Sequence, residues 1–263
     1  MAAQLDHRQF DILHSYSAAV QLLALNNDRL PLNDIRVRQA LNYGIDVQGL
    51  ISSAFFGAGN PSGSPIIPGL TDYYESSLTY EYNPDKARSL LAEAGFTEQA
   101  LGLSIEITVP SNYTMHVDTA QVIASQLKNI GVETTIKLVD WATWLSDVYI
   151  NRHYMTTIIS LDSPVVSPRS FLSRYHSQDG SNFINFRNAE FDRVYETCLT
   201  ETDQRRRIGL YREAQRVITA NAASVFIQDI FYFKVFRSGA FAGVLNYPLY
   251  VIDFASIYGI EKN

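Results

Sequence analysis

Residues 103–139 read LSIEITVPSNYTMHVDTAQVIASQLKNIGVETTIKLV, and their patterning decides the class of fold. Leu103–Val109 alternates like a strand with one face buried. Val117–Ile130 switches to the 3.6-residue period of a helix. Ala120, Ile123, Leu127 and Ile130 fall on one stripe, and Gly131 ends it. Thr134–Val139 returns to strand patterning. Strand, helix and strand at this spacing predict a parallel βαβ unit with a right-handed crossover.

The pattern extends outward from this unit. Downstream, Trp141–Tyr154 reads as a helix and Met155–Leu161 as a strand ending at Asp162. Ser170–Tyr175 follows a loop through Pro168, and helices are expected at about 189–201 and 203–221. Ser224–Phe231 and Phe233–Arg237 are strand-like, and the tail Leu245–Ile260 is apolar with little period. Upstream, Phe10–His14 and Ala18–Leu25 are apolar, strand-like runs stopped by Asn26, Asn27 and Asp28. Residues 33–45 predict a helix capped by Asn33 or Asp34, and Val47–Phe55 a second. Phe56–Thr71, rich in Gly, Pro and Ser, reads as a long loop. Asn83-Pro84-Asp85 opens the next helix, with Asn at the cap and Pro in the first turn, and Gly95 closes it. The class is α/β.

Composition narrows the function. The chain of 263 residues is 46% hydrophobic and 18% charged, enough apolar sequence for a buried core. Its formal net charge of −6 repels a phosphate backbone, which argues against nucleic acid as a partner. The one dense basic run, Arg205–Arg207, sits on a helix that also carries acids and reads as a solvated face. A single cysteine, Cys198, allows no disulfide framework within the chain and reads as a small buried hydrophobe. No basic segment followed by an apolar one opens the sequence, so no signal peptide is visible in it.

Catalytic and metal motifs are not found. The five histidines (His7, His14, His116, His153 and His176) form no His-x-x-x-His pair, and each reads as a surface or loop residue. His176 stands apart because it lies in a loop near the expected cleft. Gly57-x-Gly59 lacks the third glycine of a dinucleotide fingerprint, and Ser62 and Ser64 read as loop serines. No cofactor, metal or catalytic residue is assigned, and an enzyme is not expected. Trp141 and Trp144 share helical spacing with Leu145 and Val148, which places them in the core. Asp162 follows an apolar strand, where ligands tend to bind in open α/β sheets; a turn or capping role is the equal alternative.

Five stretches, taken in order, resemble the family 5 bacterial extracellular solute-binding proteins, the peptide- and nickel-binding components of ABC importers. They are Leu22–Leu41 (LLALNNDRLPLNDIRVRQAL); Gly57-x-Gly59-x-Pro61 with Ser64–Gly69; Tyr82–Phe96; Gln126–Val132; and Asn185-Phe186-x-Asn188-x-x-Phe191-Asp192. The resemblance implies a type II periplasmic-binding-protein lobe with a mixed sheet flanked by helices. It covers the second, C-terminal lobe and not a first lobe upstream. Residues 28–222 would form that lobe. Residues 1–27 would be strands connecting from the first lobe, and 223–263 a return segment and tail packing towards it. Apolar strands at both ends would then lack neighbours and seek them in another copy of the chain.

Function follows from the same resemblance. A peptide or peptide-like solute would be trapped between two lobes outside the cytoplasm, in the periplasm or on a lipid anchor, and passed to membrane permease subunits. The resemblance places Asp162 against the ligand's ammonium group, with Ser163, Ser111, Phe171 and His176 as further ligand-binding candidates. The family's Gly-Trp before the aspartate is absent, and Val109-Pro110-Ser111 stands where dipeptide binders carry an arginine clamp. An oligopeptide, a modified peptide or a metal chelate therefore fits better than a simple dipeptide. The alternatives are a nickel or metallophore binder of the same family and the ligand-sensing lobe of a transcriptional regulator.

Overall fold

The computed structural model describes residues 8–97, 102–163, 165–245 and 253–260. Strand β1 (Phe10–Leu25) leads into helices α1 (Ile35–Gly44) and α2 (Val47–Phe55). Short β2 (Gly59–Pro61), α3 (Pro84–Glu93), β3 (Leu103–Pro110), α4 (Thr114–Lys128) and β4 (Val132–Val139) follow. A single helical turn, α5 (Trp141–Thr143), runs directly into a π-helical segment, Trp144–Ile150. After it come β5 (Thr156–Asp162), α6 (Pro168–Leu172), α7 (Ala189–Thr200), α8 (Gln204–Ala220) and β6 (Ser224–Arg237). A small ribbon of β7 (Phe241–Ala242) and β8 (Tyr258–Gly259) closes the described chain.

Six strands form one mixed sheet in the order β2-β6-β1-β5-β3-β4. The parallel βαβ unit expected from residues 103–139 is present: β3 and β4 pair from Leu103↔Val132 to Pro110↔Val139. The helix ends also follow their sequence signals. Asp34, not Asn33, caps α1 by accepting from Arg36 N, and Asn83 accepts from Lys86 N at the start of α3. The loop expected over 56–71 contains β2, which pairs with β6 from Gly59↔Ile230 to Pro61↔Gln228 and brings Gly59 against the Gln228 side chain. A Cβ on Gly59 would meet Gln228 Oε1 at 1.7 Å.

Alternation along the central strands explains why both faces of the sheet are buried. In β1, Val20, Leu22 and Ala24 join one core while Leu23 and Leu25 join the other. In β5, Ile159 and Leu161 face the first and Ile158 the second. The first core is closed by α7 and α8, with Phe191, Val194, Tyr211 and Ile218 turned inward. The second is closed by α1 to α4 through Leu41, Leu50, Leu91 and Ile123. A strand buried on both sides reads as a continuous apolar run, which is why Ala18–Leu25 is so rich in aliphatics.

The terminal strands were expected to lack neighbours, and the structure supplies them within the chain. β1 and β6 pair antiparallel with each other from Phe10↔Arg237 to Ala24↔Ser224. The ladder slips between Tyr16 and Val20, where Ala18 adopts a left-handed φ of 53°. The two apolar runs read as separate strands at each end are thus one bent strand each. The apolar tail lies partly outside the described residues, since 246–252 are not among them.

Asn26 and Asn27 fasten the end of β1. Asn26 Nδ2 donates to Arg152 O and Tyr154 O, while its Oδ1 accepts from Asn185 Nδ2 at 2.9 Å. Asn27 Nδ2 reaches Leu25 O and Ala223 O. Removing a buried, fully used amide strands its partners, so Asn26→Ala should cost about 2 kcal/mol. A denaturant midpoint unchanged from the parent protein would contradict this.

Candidate functional site

The topology opens a crevice at one end of the sheet. From β3 the chain crosses outward to β4 and then returns to β5 on the other side. β5 pairs with β3 only at Ile107↔Thr156 and Thr108↔Thr157, so beyond these pairs the two strands no longer hydrogen-bond. Ligands in open α/β sheets collect at the carboxyl ends of strands at such a switch. A groove of about 460 Å³ lies there, lined by Tyr113, His116, Trp141, Trp144, Tyr149 and Asp162 among others.

Its wall is aromatic for local reasons. Asp140 caps the turn after β4 through Thr143 N, which starts a helix at Trp141. Residues three apart share a helix face. Trp141 and Trp144 therefore stack, with centroids 5.1 Å apart and planes 5° from parallel. The π-helical segment that follows leaves Tyr149 stacked against Trp144 at 6.2 Å. Trp144 is 2% exposed and donates from Nε1 to Thr157 Oγ1 at 2.9 Å, an anchor on β5. Trp141 is 37% exposed, with the Tyr113 ring edge-on at 5.6 Å. The core assignment thus holds for Trp144 and fails for Trp141. Stacking on an already buried indole lets the second ring stay partly in solvent.

From His116 in the groove wall a buried polar chain leads inward. Gln21 Nε2 donates to His116 Nδ1 (3.1 Å) and Thr119 Oγ1 (3.0 Å). Gln228 Nε2 donates to Gln21 Oε1 at 2.8 Å. An amide N–H can only donate, so His116 accepts at Nδ1 and is neutral with its proton on Nε2. Burial pulls its pKa down to about 4. His116 is thus a buried residue and not the surface residue expected from sequence.

The residues singled out from sequence do not converge on one point. Asp162 is exposed at the end of β5 and lines the aromatic groove. Ser163 and His176 line a neighbouring groove of about 660 Å³, and Arg174 belongs to both. Ser163 is itself largely buried, its hydroxyl turned to Val165 O. His176 Nε2 lies 3.1 Å from Glu196 and 3.9 Å from Asp192. Phe171 is 3% exposed and packs in the first core, which leaves its ring no open face for a solute. Ser111 is exposed beyond β3, its backbone N–H given to Val139 O, and lines neither groove. Trp141, Tyr113, Tyr149, His116 and Arg174 were missed as site residues. The Trp-x-x-Trp spacing after a capping aspartate was the one available signal.

Comparison with known proteins bears on this arrangement. The profile of the bacterial extracellular solute-binding proteins, family 5, middle region, matches residues 2–183. The chain belongs to that family. Heme-binding protein A of Haemophilus influenzae is 28% identical over 215 residues, covering 79% of this chain and 38% of that protein. The dipeptide-binding protein of Escherichia coli is 27% identical over 226 residues, covering 83% and 42%. AppA of Clostridium difficile superposes with a TM-score of 0.88 at 20% identity, over 98% of this chain and 54% of that one. The chain thus spans about two fifths of these curated family members, and its sheet and helices follow the family fold over that part. Among the described residues no helix is long and apolar enough to cross a membrane.

Proposed function

We propose that this chain is the ligand-receiving C-terminal lobe of an extracytoplasmic solute-binding component of an ABC importer, taking a peptide or peptide-like solute. The observation that carries the reading is the aromatic groove at the carboxyl ends of β3 and β5 with the Asp162 carboxylate at its rim. Rings bury the apolar part of a solute, and a carboxylate at the edge suits a primary ammonium. The names of the H. influenzae and E. coli proteins, a heme binder and a dipeptide binder, support solute capture as the common task. On this reading, residues 28–222 form the lobe, while 1–27 and 223–263 lead to an opposing one. Ligand touching both lobes favours the closed state, which is presented to membrane permease subunits. Among the described residues no three His, Cys, Asp or Glu side chains gather as a metal site, so nickel would arrive as a chelate.

Native mass spectrometry of the protein purified from its host tests the reading directly. A bound mass carrying a primary amine is expected. Asp162→Ala should weaken binding of that solute roughly tenfold, the effect of losing a charge-assisted contact at an accessible site. Calorimetry returning equal affinities for parent and variant would remove Asp162 from the site.

A further inference from the structure

Among the described residues, His116 holds a donor that no other group uses. It is 2% exposed and lines the wall of the aromatic groove. Its tautomer is set from behind. Thr119 Oγ1 gives its proton to Met115 O at 2.7 Å, so its oxygen is left to accept from Gln21 Nε2. The Gln21 amide therefore presents N–H to His116 Nδ1 as well, and the imidazole proton stays on Nε2. Gln228 Nε2 donates to the other end of the Gln21 amide and fixes its orientation.

Ser160 supplies a second unused polar atom. It lines the same groove and sits directly across the β1–β5 ladder from Gln21, so the two side chains share a face of the sheet. Its hydroxyl is buried and has no partner among the described residues. Unpaired polar groups are rare in protein interiors. Two of them in one groove, both neighbours of one glutamine, point to a group that arrives from outside. Ser160 also precedes Asp162 by two residues on β5, which places it on the same face about 7 Å further in.

Resting on the reading of the aromatic groove as the solute site, we infer that His116 Nε2–H and the Ser160 hydroxyl bind an uncharged carbonyl oxygen of the solute. The acceptor is uncharged because His116 cannot become an imidazolium without turning an Nδ1–H against the Gln21 donor. A solute whose ammonium meets Asp162 carries its first carbonyl inward to this pair, while its side chain lies on the rings. The solute class is therefore an α-amino acyl amide, as at the start of a peptide. A simple amine lacks the carbonyl, and in a free amino acid the carbonyl belongs to a carboxylate. Gln21 does not line the groove and is a positioning residue that holds the tautomer.

The test is a tryptophan-fluorescence titration of the protein purified from its host and freed of ligand. The probes are Phe-Ala-Ala-Ala and an analogue whose first peptide bond is a trans-alkene, which keeps the shape and the ammonium and lacks the carbonyl. The peptide should bind about tenfold more tightly, since the alkene leaves both polar groups unpaired. The His116→Phe, Ser160→Ala double variant should shrink that ratio several-fold by weakening the peptide. Nitrogen NMR of histidine-labelled protein gives a readout independent of affinity. The His116 proton should lie on Nε2 in the free protein and shift downfield when the peptide is added. In Gln21→Met the proton should divide between the two nitrogens. A proton on Nδ1 in the free parent protein overturns the inference. Equal binding of peptide and alkene to the parent, with Asp162→Ala still weakening both, overturns it and leaves the solute site standing. An undiminished preference in the double variant overturns it as well. Binding of neither probe defeats the peptide reading and this inference together.

Discussion

Replacing Arg38 by methionine should destabilise the fold by about 3 kcal/mol, although Arg38 touches neither groove. Arg38 lies on α1 and is 7% exposed. Its Nε donates to Ala222 O (3.2 Å), Nη1 to Leu32 O (2.8 Å) and Nη2 to Asn221 O (2.9 Å). Two of these carbonyls follow the end of α8, where unpaired C=O groups and the negative end of the helix dipole collect. Ala222 turns there with a left-handed φ of 48°, so the chain has left the helix before its carbonyls find helical partners. Burial pulls the arginine pKa down, and the charge of Asp34 opposes that shift. Methionine fills the space and satisfies none of the three acceptors. Lysine retains the charge without the planar fork and should lose less. Urea unfolding with an unchanged slope and a lower midpoint is the expected readout. A loss below about 0.5 kcal/mol, the range of an ordinary surface substitution, would show that water replaces the guanidinium without penalty.

The second large effect is a loss of stability between pH 6.5 and 4 centred on His116. Its pKa falls from the ordinary 6.5 to about 4 because burial disfavours the imidazolium. The unfolded chain therefore binds a proton that the folded chain refuses. Stability is complete above pH 6.5, declines as pH falls through this window, and levels off below about 4. The span corresponds to about 3 kcal/mol. Protonation would also place an N–H on Nδ1, facing the Gln21 amide donor 3.1 Å away. Depressed carboxylates such as Asp34 and Glu75 also weaken the fold in acid, but they do so below their ordinary values near 4. Chemical denaturation across pH 4 to 7 should show the slope in the parent protein, and His116→Asn should flatten it. An equal slope in the variant would place the linkage on another group.

The contrast between these two residues shows what could be foreseen. Residues 103–139 announced a parallel βαβ unit, because period 2 and period 3.6 are local consequences of one buried face. Asp34 and Asn83 were legible as caps because a cap bonds backbone two or three residues away. The His116–Gln21–Gln228 chain was not legible. Gln21 and Gln228 are 207 positions apart, and glutamine in a strand carries no local sign of its partner. Trp141 was misread for a related reason. Helical spacing places two residues on one face, but only packing decides which of them is covered.

By itself the sequence determined the βαβ frame, the helix ends, Asp162 at a strand terminus and the family to which the chain belongs, since each is written in neighbouring residues. The tertiary structure alone decided that β1 and β6 run side by side through the middle of the sheet. It also buried His116 and set the open face of Trp141 and the donors of Arg174 beside Asp162. Those outcomes depend on surfaces meeting across long separations in the chain, and burial, unlike periodicity, is a property of the partner as much as of the residue.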